Sequence, residues 1–436
     1  MQEKKHFSYR NWAGNVRFTA AKFFQPESEQ DIIAIVKEAA FSGSTIRVVG
    51  AGHSWSPLVC ASDYLINLDR YNRVLHVNHQ NYEVKVQAGI RIKELNRILE
   101  LNGMALCNLG SISEQSIAGA ISTGTHGTGI QFGCLATQVI GLRLILCDGR
   151  VLELSENDPR MDACRVSLGC LGIISEVALR CCPVFQLAEQ AYPLPFNEAL
   201  QLLPDLIRST DHLKLWWFPH VDQIQIYRYQ RTHKKAMPPV LIVRWFNDYF
   251  LAAFVFRLFL GTGKLVPSLV PLINRVVCFL HFKKRMRTDK SYRMFNVPMP
   301  PPHRESEYAI RVEDAIPALQ ALRNCIDQSG WMINFIVEAR FVKGDNIWLS
   351  PAYGRDSCFI GAYQYNLSSW SAYKEAFESL MKKYGGRPHW GKEFSVDQSY
   401  LQEAYPRFDS FRKLLRELDP EGMFQNAFTR KIFQEE

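Results

Sequence analysis

The stretch Val48–Pro57, "VVGAGHSWSP", places a histidine inside a glycine turn that follows an apolar run. Gly50, Ala51 and Gly52 could open a dinucleotide-binding fold, but that fold needs a third glycine and a helix starting in the turn. Pro57 stands where such a helix would propagate, so the dinucleotide interpretation fails. What remains is a tight loop of backbone N–H groups that can wrap a pyrophosphate. An ordinary glycine turn is the alternative.

A second glycine-rich loop, "IAGAISTGTHGTG" at residues 117–129, favours the pyrophosphate interpretation. Glycines let a backbone approach a ligand closely, and hydroxyl side chains donate hydrogen bonds to phosphate oxygens. The loop supplies both kinds of residue: Gly119, Ser122, Thr123, Gly124, Thr125, Gly127 and Gly129. Together the two loops predict a long phosphate-bearing cofactor that is held from both sides. His126 lies in the same loop, and we expect its role to be structural.

The segment between Pro26 and Gly43 predicts a surface helix, because Ser28 and Asp31 have capping-box spacing and Gly43 is a stop signal. Its predicted buried face consists of Ile32, Ile33, Val36, Ala39 and Ala40. Strands are predicted at "TIRVVG", "YLINLD", "RVLHVN" and "YEVKVQAG", and a second helix at "RIKELNRILELNG". Asp148-Gly149 predicts a hairpin within "VIGLRLILCDGRVLEL". This mixture of elements predicts an α+β fold.

Composition narrows the class of protein. The 436 residues are 47% hydrophobic and 22% charged, which predicts a large core and two domains rather than disorder. The eleven cysteines include no C-x-x-C pair and are odd in number, which argues against a zinc ribbon and against a complete disulfide framework. We therefore expect a reducing compartment and no metal. The N-terminus "MQEKKHFSYRNWAG" lacks the apolar core of a signal peptide, so secretion is not expected. The net charge of +8 could suit a polyanion, but the sequence contains no recognisable nucleic-acid-binding module, so we do not expect binding to DNA or RNA.

Residues 239–287 form the most apolar part of the chain. Its longest uncharged run is too short to cross a bilayer, which needs about 20 apolar residues. Four cations interrupt this apolar part of the chain, Arg244, Arg257, Lys264 and Arg275, and the basic cluster "KKRMR" lies at its end. This pattern is typical of helices that lie in a membrane interface, but an ordinary buried helical pair fits equally well.

The chain resembles the aldonolactone oxidoreductases of the vanillyl-alcohol-oxidase flavoprotein superfamily over nearly its whole length. The motifs that carry the resemblance, in chain order, are "GAGHS", "NLGSI", "ISTGTHGTG", "LATQV", "LGCLG", "WFPH", "VEARF", "SPAYGRDSC", "GGRPHWGK" and "LDPEGMFQN". One motif alone is modest evidence, but their joint order is specific.

The resemblance implies a two-domain α+β architecture: an FAD-binding domain at 13–183, a cap domain at 184–385, and a segment at 386–436 that closes back over the FAD site. A change to aromatic and proline-rich sequence after Pro183 fits this boundary. In this family the histidine of the "GHS" turn is bonded to the flavin, and that position is His53. Such a bond would raise the flavin potential and prevent loss of the cofactor.

The resemblance also assigns residues to the substrate side of the site. Glu338 and Arg340 alternate along a predicted strand and therefore share a face, and their counterparts contact the substrate over the flavin. Without the resemblance, a surface ion pair would be the simpler interpretation. Lys392 resembles a lysine that stabilises the reduced flavin. Ser111 matches a substrate-contacting serine, and Gly110 precedes it where oxygen would approach.

The FAD contacts implied by the resemblance lie mainly in the two glycine-rich loops. They are Gly50, Ala51, Gly52, His53, Ser54, Gly110, Ser111, Gly119, Ser122, Thr123, Gly124, Thr125, His126, Gly127, Gly172, Ile173 and Lys392. The roles of His389, His220 and Arg355 stay open, although their motifs match.

The implied activity is FAD-dependent oxidation of L-gulono-1,4-lactone or a close relative, such as a galactono- or arabinono-lactone, to ascorbate or an analogue. Oxygen would be the acceptor and would yield hydrogen peroxide. A dehydrogenase that uses a cytochrome or quinone and an alditol oxidase on the same scaffold are rivals. A flavin-free, membrane-associated binding protein is a rival of another class. The expected location is a membrane surface, and otherwise the cytoplasm.

Overall fold

The computed structural model describes residues 1–236, 256–297, 301–365, 367 and 369–434. The strands in these ranges are β1 (Gln2–Arg10), β2 (Arg17–Gln25), β3 (Ile46–Val49), β4 (Tyr64–Asn67), β5 (Val74–Asn78), β6 (Glu83–Gln87), β7 (Met104–Ala105), β8 (Val139–Ile145), β9 (Val151–Ser155), β10 (Ile173–Arg180), β11 (Cys182–Pro183), β12 (Gln186–Pro195), β13 (His212–Trp217), β14 (Gln223–Thr232), β15 (Arg285–Lys290), β16 (Arg304–Arg311), β17 (Val337–Val342), β18 (Ser357–Gln364) and β19 (Arg387–Pro388).

The α-helices in the same ranges are α1 (Glu29–Ser42), α2 (Ile92–Leu101), α3 (Ile117–Ser122), α4 (Met161–Cys164), α5 (Phe196–Arg208), α6 (Phe256–Leu265), α7 (Val270–His281), α8 (Ser291–Phe295), α9 (Ala315–Ser329), α10 (Trp370–Lys383), α11 (Gln398–Ala404), α12 (Phe408–Leu418) and α13 (Ala427–Phe433).

The described chain up to Pro183 contains two larger sheets and a two-stranded sheet of β7 and β11, and these elements confirm the α+β prediction. One larger sheet has the strand order β1-β2-β4-β3, and the other has the order β5-β6-β10-β8-β9. The first sheet is mixed, because β1 pairs antiparallel with β2 whereas β4 runs parallel to both β2 and β3. Strands β8 and β9 pair antiparallel across the turn that contains Gly149, whose φ is +81°, as the hairpin prediction requires.

Helix α1 begins and ends where the sequence predicts. Ser28 and Asp31 form a capping box, and Gly43 ends the helix in the left-handed conformation. The buried face differs slightly from the prediction, because Ile35 is buried whereas Ala40 is exposed. The buried residues are Ile32, Ile35, Val36 and Ala39, which have the i, i+3, i+4, i+7 spacing of one helical face.

An eight-stranded antiparallel sheet dominates the second half, in the order β15-β12-β14-β13-β17-β18-β16-β19. One face is apolar and packs against helices, including α5 and α10. Because side chains alternate along each strand, the opposite face carries a separate set of residues. We call this second set the polar face; its central members are Lys214, Trp216, Glu305, Glu307, Glu338, Arg340 and Tyr363.

The C-terminal segment packs against the first sheet. The backbone N–H of Ile46 donates to the carbonyl of Met423 at 2.8 Å. The buried guanidinium of Arg47 donates to the carbonyl of Phe424 and, at 2.7 Å, to that of Leu58. The side-chain amide of Asn426 donates to the carbonyls of residues 57, 58 and 60 at 2.9 to 3.2 Å. These contacts clamp the chain directly after the glycine turn.

Helices α6 and α7 cover the described part of the apolar stretch, and residues 239–255 lie outside the described residues. One side of the pair packs into a small core with Phe218, Phe335 and Tyr363. The other side leaves large apolar side chains exposed, including Leu265, Leu272 and Phe279. Among the described residues, no helix has the length and apolar character needed to cross a membrane.

Candidate active site

Glu338 lies at the centre of the polar face and is buried. Its Oε1 accepts a hydrogen bond from the indole N–H of Trp216 at 2.7 Å, and its Oε2 accepts one from the Tyr363 hydroxyl at 3.0 Å. Burial alone would raise its pKa, but the cations of Arg340 and Lys214 outweigh burial and lower it. Glu338 is therefore a buried, ionised carboxylate.

Arg340 lies on the same strand as Glu338 and is equally buried, so the prediction of a shared face is correct and a surface ion pair is excluded. Its Nε is 3.3 Å from Glu338 Oε2, and its Nη2 donates to Glu307 Oε1 at 2.8 Å. Burial opposes the charge, but these two carboxylates prevail and raise the pKa of Arg340. The guanidinium is thus a fixed cation between two anions.

Glu307 and Glu305 were not predicted from the sequence. They alternate along β16, and both are buried. Burial would raise the pKa of Glu307, yet Arg340 and His126 together hold it well below the usual value. Glu305 Oε2 lies 2.5 Å from Lys392 Nζ, which is also 4.3 Å from the ring centroid of Trp55. Lys392 is therefore a paired cation. The signal that could have found the two acids is the alternation of "ESE" directly before the apolar residues "YAI".

Several buried polar atoms on and around the polar face have no hydrogen-bond partner among the described residues. They are Arg340 Nε, Glu305 Oε1, Glu307 Oε2, His126 Nε2 and His303 Nε2; each of the three nitrogens lies 3.3 to 3.7 Å from a carboxylate oxygen but lacks hydrogen-bond geometry. Buried polar groups are nearly always hydrogen-bonded, because an unmet donor or acceptor costs about 1–3 kcal/mol. Their concentration here indicates a site for a ligand rich in oxygen and hydroxyl groups.

The glycine turn lies at the edge of an open cleft of about 450 Å³, which is lined by Trp12, Ala51, His53, Arg91, Lys93 and Glu114. Gly52 has φ +69°, and a Cβ atom there would lie 2.2 Å from the Tyr9 hydroxyl oxygen. Burial lowers the pKa of His53 to about 4, so its ring is neutral near pH 7. The backbone N–H groups of residues 51–54 donate no hydrogen bond to the described part of the chain.

The second loop is also close-packed. Residues 123–129 are all buried, and the N–H groups of His126 and Gly127 donate to no described residue. Thr123 follows the last residue of α3, and its hydroxyl donates to the Gly119 carbonyl within that helix at 3.1 Å. A Cβ atom at Gly110 would lie 3.0 Å from Thr125 Cγ2, which places Gly110 beside this loop.

Comparison with known proteins identifies the family. A family model described as D-arabinono-1,4-lactone oxidase matches residues 177–432, and one described as an FAD-binding domain matches residues 20–155. The L-gulonolactone oxidase of Mus musculus is 35% identical over 98% of this chain and 99% of its own length. The chain belongs to the aldonolactone oxidase family of FAD-dependent oxidoreductases.

Other relatives of this chain, and solved structures similar to it, carry the names of different enzymes. The L-gulono-1,4-lactone dehydrogenase of Mycobacterium tuberculosis is 33% identical over 97% of this chain and 98% of its own length. A solved structure of cholesterol oxidase from Brevibacterium sterolicum has a TM-score of 0.84 at 16% identity and covers 99% of this chain and 97% of its own. At that identity the cholesterol oxidase shows a shared fold only.

The residues of this chain fit FAD. Free amides in the turn at 51–54 and buried free amides at His126 and Gly127 are the donors that a pyrophosphate and a flavin ring require. Ser111 is half-buried in the neighbouring loop, where its carbonyl accepts from Val297 N–H at 2.9 Å. Gly172, with φ +143°, and Ile173 lie against β8, where a Cβ atom at residue 172 would be 2.9 Å from the Ile145 carbonyl oxygen.

The three residues left open by the sequence have different surroundings. His389 is buried beside His126, with ring centroids 5.7 Å apart, and its Nδ1 accepts from Gly391 N–H at 3.0 Å. His220 Nε2 accepts from Ile333 N–H, and Arg355 donates to backbone carbonyls. His220 and Arg355 thus support loops rather than the site. His126, Glu307 and His389 each place a possible metal-ligating atom within 4.8 Å of the others. We assign no metal there, because the Glu307 carboxylate already accepts a hydrogen bond from Arg340.

Proposed function

We propose that this protein oxidises L-gulono-1,4-lactone or a close relative at the hydroxyl carbon next to the lactone carbonyl. The product would enolise to ascorbate or an analogue. The observation that carries the proposal is the buried Glu338–Arg340 pair, surrounded by unmet donors and acceptors in a chain of this family. FAD, when bound, supplies the two-electron oxidation. The boundaries 13–183, 184–385 and 386–436 are part of the proposal.

The chain's own residues would bind and orient the lactone. Arg340 offers a permanently charged donor, and its Nε has no hydrogen-bond partner among the described residues. Glu338 is ionised and has lone pairs left to accept a substrate hydroxyl. Ser111 is half-buried and supplies a hydroxyl from the neighbouring loop. A cation and an anion fixed 3.3 Å apart would position the ring of a polyhydroxy lactone in one orientation.

Lys392 would support the reduced, negatively charged form of the cofactor as a fixed cation. The structure adds that Glu305 is its partner at 2.5 Å, so the local charge is nearly balanced before substrate arrives. The pairing holds the ammonium in one place over Trp55, because a flexible lysine would otherwise adopt many rotamers.

Covalent attachment of FAD at His53 is the next part of the proposal. A neutral imidazole has a free nitrogen lone pair, and burial keeps His53 neutral near pH 7. No hydrogen bond engages the ring within the described part of the chain, so either nitrogen is available. The open cleft at His53 gives the ring access to a ligand.

Oxygen is the acceptor that we propose. Gly110 has no side chain, and we expect this gap to leave a path for oxygen to the flavin. A Cβ atom at this position would point toward Thr125 and the His126 carbonyl oxygen, at 3.0 and 3.3 Å. The rival is a dehydrogenase that passes electrons to a cytochrome or a quinone.

Peripheral membrane association through α6 and α7 completes the proposal. Leu272, Val276 and Phe279 follow the i, i+4, i+7 spacing of one helical stripe, and all three are exposed. Arg275, Lys283 and Lys284 lie exposed close by, where anionic lipid headgroups would attract them. An apolar stripe beside exposed cations is typical of helices that lie in a membrane interface.

A single set of measurements tests the activity. The purified protein should show flavin absorption bands, and its steady-state rates should be measured with a panel of aldonolactones and free alditols. Oxygen should be compared with an artificial electron acceptor. Fast turnover of a lactone with peroxide release supports the proposal. Turnover of alditols alone, or of lactones only with the artificial acceptor, would replace it by one of the rivals. Absence of flavin bands would favour the flavin-free binding protein.

A further inference from the structure

Lys214 is a buried cation that the proposed chemistry does not use. It lies on β13 and is only 6% exposed. Within the described residues its ammonium forms no hydrogen bond and no ion pair. Removing an ammonium from water costs several kcal/mol unless a partner compensates it. A cation in this state is therefore a signal for a ligand.

The carboxylates near Lys214 are committed to other partners. Glu338 is held by Trp216, Tyr363 and Arg340. Glu189 lies on β12, on the side of Lys214 away from Glu338 in the strand order, and pairs with Arg285 at 2.7 Å and Arg287 at 3.3 Å. Neither comes within ion-pair distance of Lys214 in the described part of the structure. Both act on it through space only, and burial outweighs them, so the pKa of Lys214 lies below its usual value.

Two aromatic rings surround the ammonium instead. Lys214 Nζ lies 4.6 Å from the ring centroid of Trp216 and 5.0 Å from that of Tyr227. Cation–π contacts compensate part of the desolvation cost, but an ammonium has three N–H donors that a ring face does not satisfy. In the strand register, Lys214 is opposite Arg340 and Trp216 is opposite Glu338. The group is therefore contiguous with the substrate pair.

We infer that Lys214, Trp216 and Tyr227 form a subsite for the hydroxylated side chain of the lactone, the part outside the ring. Aromatic faces pack against the C–H groups of a sugar chain, and an ammonium donates hydrogen bonds to its hydroxyls. Glu338 and Arg340 would hold the ring, and Lys214 would set the preference for lactones with a long polyhydroxy tail. This inference rests on the proposed lactone oxidation.

The test compares two lactones with and without the tail. Lys214→Met keeps the length and volume of the side chain and removes the charge, whereas Lys214→Arg keeps the charge. We expect kcat/KM for L-gulono-1,4-lactone to fall at least tenfold in Lys214→Met, mainly through KM. For 2-hydroxy-γ-butyrolactone, which has no tail, we expect a change of less than threefold. Lys214→Arg should restore part of the loss.

Binding without turnover gives a second readout. A 2-deoxy aldono-1,4-lactone keeps the tail but lacks the hydroxyl that is oxidised, so its Kd can be measured by calorimetry on the holoenzyme. Its Kd should rise at least tenfold in Lys214→Met. The melting temperature should stay equal or rise, because an unpaired buried cation is replaced by an apolar side chain. Lys374→Met, at a partly exposed lysine on α10, is the matched control and should change neither value.

Four outcomes would overturn the inference. Equal losses on both lactones would place Lys214 in the chemistry or the scaffold, and unchanged kinetics would remove it from the site. A shift in flavin potential with an unchanged Kd would assign it to the cofactor. An analogue that binds neither wild type nor variant would also count against it. If wild type turns over lactones normally, the proposed function stands whichever of these is found; absence of lactone turnover in wild type is what rejects that function.

Discussion

The guanidinium of Arg340 reaches across β18 and donates a 2.8 Å hydrogen bond to the carboxylate of Glu307 on β16. Gly361 lies between Glu338 and Glu307 in the strand register, and the Tyr363 ring occupies the space that a side chain would take there. Two acids on non-adjacent strands thereby share one cation. The substrate pair is consequently part of a network of three strands.

We expect Glu338→Gln to lower turnover about a hundredfold with flavin still bound, because the amide keeps the shape but loses the charge that pairs with Arg340. The measurement is kcat/KM together with the flavin absorbance per protein. Arg340→Ala should also abolish turnover, and it should destabilise the fold by roughly 3 kcal/mol because it removes the cation that pairs with both Glu307 and Glu338. Near-normal activity in either variant would remove that residue from the site.

Gly361→Ala should disturb the site through Tyr363. A Cβ atom at Gly361 would lie 2.7 Å from the Tyr363 ring, so the ring must move and its 3.0 Å hydrogen bond to Glu338 should break. We expect kcat/KM to fall about tenfold, the size expected for one lost hydrogen bond to a charged group. Tyr363→Phe is the matched variant, since it removes the same hydrogen bond without crowding. Wild-type kinetics in Gly361→Ala alongside an impaired Tyr363→Phe would contradict this account.

His53→Ala should convert the flavin from a covalent to a dissociable form. Acid precipitation followed by gel fluorescence measures this, and release of all flavin from wild type would disprove attachment. The pH dependence of attachment gives a sharper test. The pKa of His53 is lowered to about 4, so attachment of FAD to the apoprotein should be equally fast at pH 7.5 and pH 5.5. An ordinary histidine, with a pKa near 6.5, would be only about one-tenth neutral at pH 5.5.

Gly110→Ala should slow reoxidation of the prereduced enzyme by oxygen and leave reduction by the lactone nearly intact. The added methyl group must displace Thr125 or the His126 carbonyl by a few tenths of an ångström, so flavin content is measured alongside. Gly261→Ala, where a Cβ atom meets nothing within 4 Å, is the matched control. Equal reoxidation rates would leave oxygen access unexplained by this glycine.

Leu272→Ser combined with Phe279→Ser should reduce binding to anionic lipid vesicles several-fold without changing turnover. These side chains are 57% and 80% exposed and lie on one stripe of α7. Co-flotation with vesicles of phosphatidylserine, at low and high salt, measures the effect. Phe41→Ser is the matched control, because Phe41 is 97% exposed on the distant helix α1. A wild-type protein that stays entirely in the soluble fraction would contradict membrane association.

Local features of this chain could be predicted from sequence because short-range physics decides them. The capping box of α1, its Gly43 stop and the Gly149 hairpin are such cases. The common face of Glu338 and Arg340 also follows from strand alternation alone. Register between distant strands is decided by tertiary packing, so the sequence did not reveal Glu307.

Glu305 and Glu307 on β16 show a second reason why site residues could not be predicted from the sequence. The strand is buried on both faces, so its pattern of acids does not show which face meets a ligand. Lys214 was missed for a similar reason, since a lone lysine in an apolar strand has no short-range signal. Family motifs located the glycine loops, but they did not reveal that Glu305 holds Lys392.

The clamp of Asn426 on Pro57 has a consequence for the order in which the protein is made. The two residues are 369 positions apart, so a ribosome that adds ~5–20 residues per second needs about 20 to 70 s to pass from one to the other. During that interval the glycine turn is outside the ribosome without its clamp. The turn that we propose as the attachment point for FAD is therefore among the last parts to become rigid. We therefore expect the cofactor to be loaded after synthesis, when both ends of the chain have met.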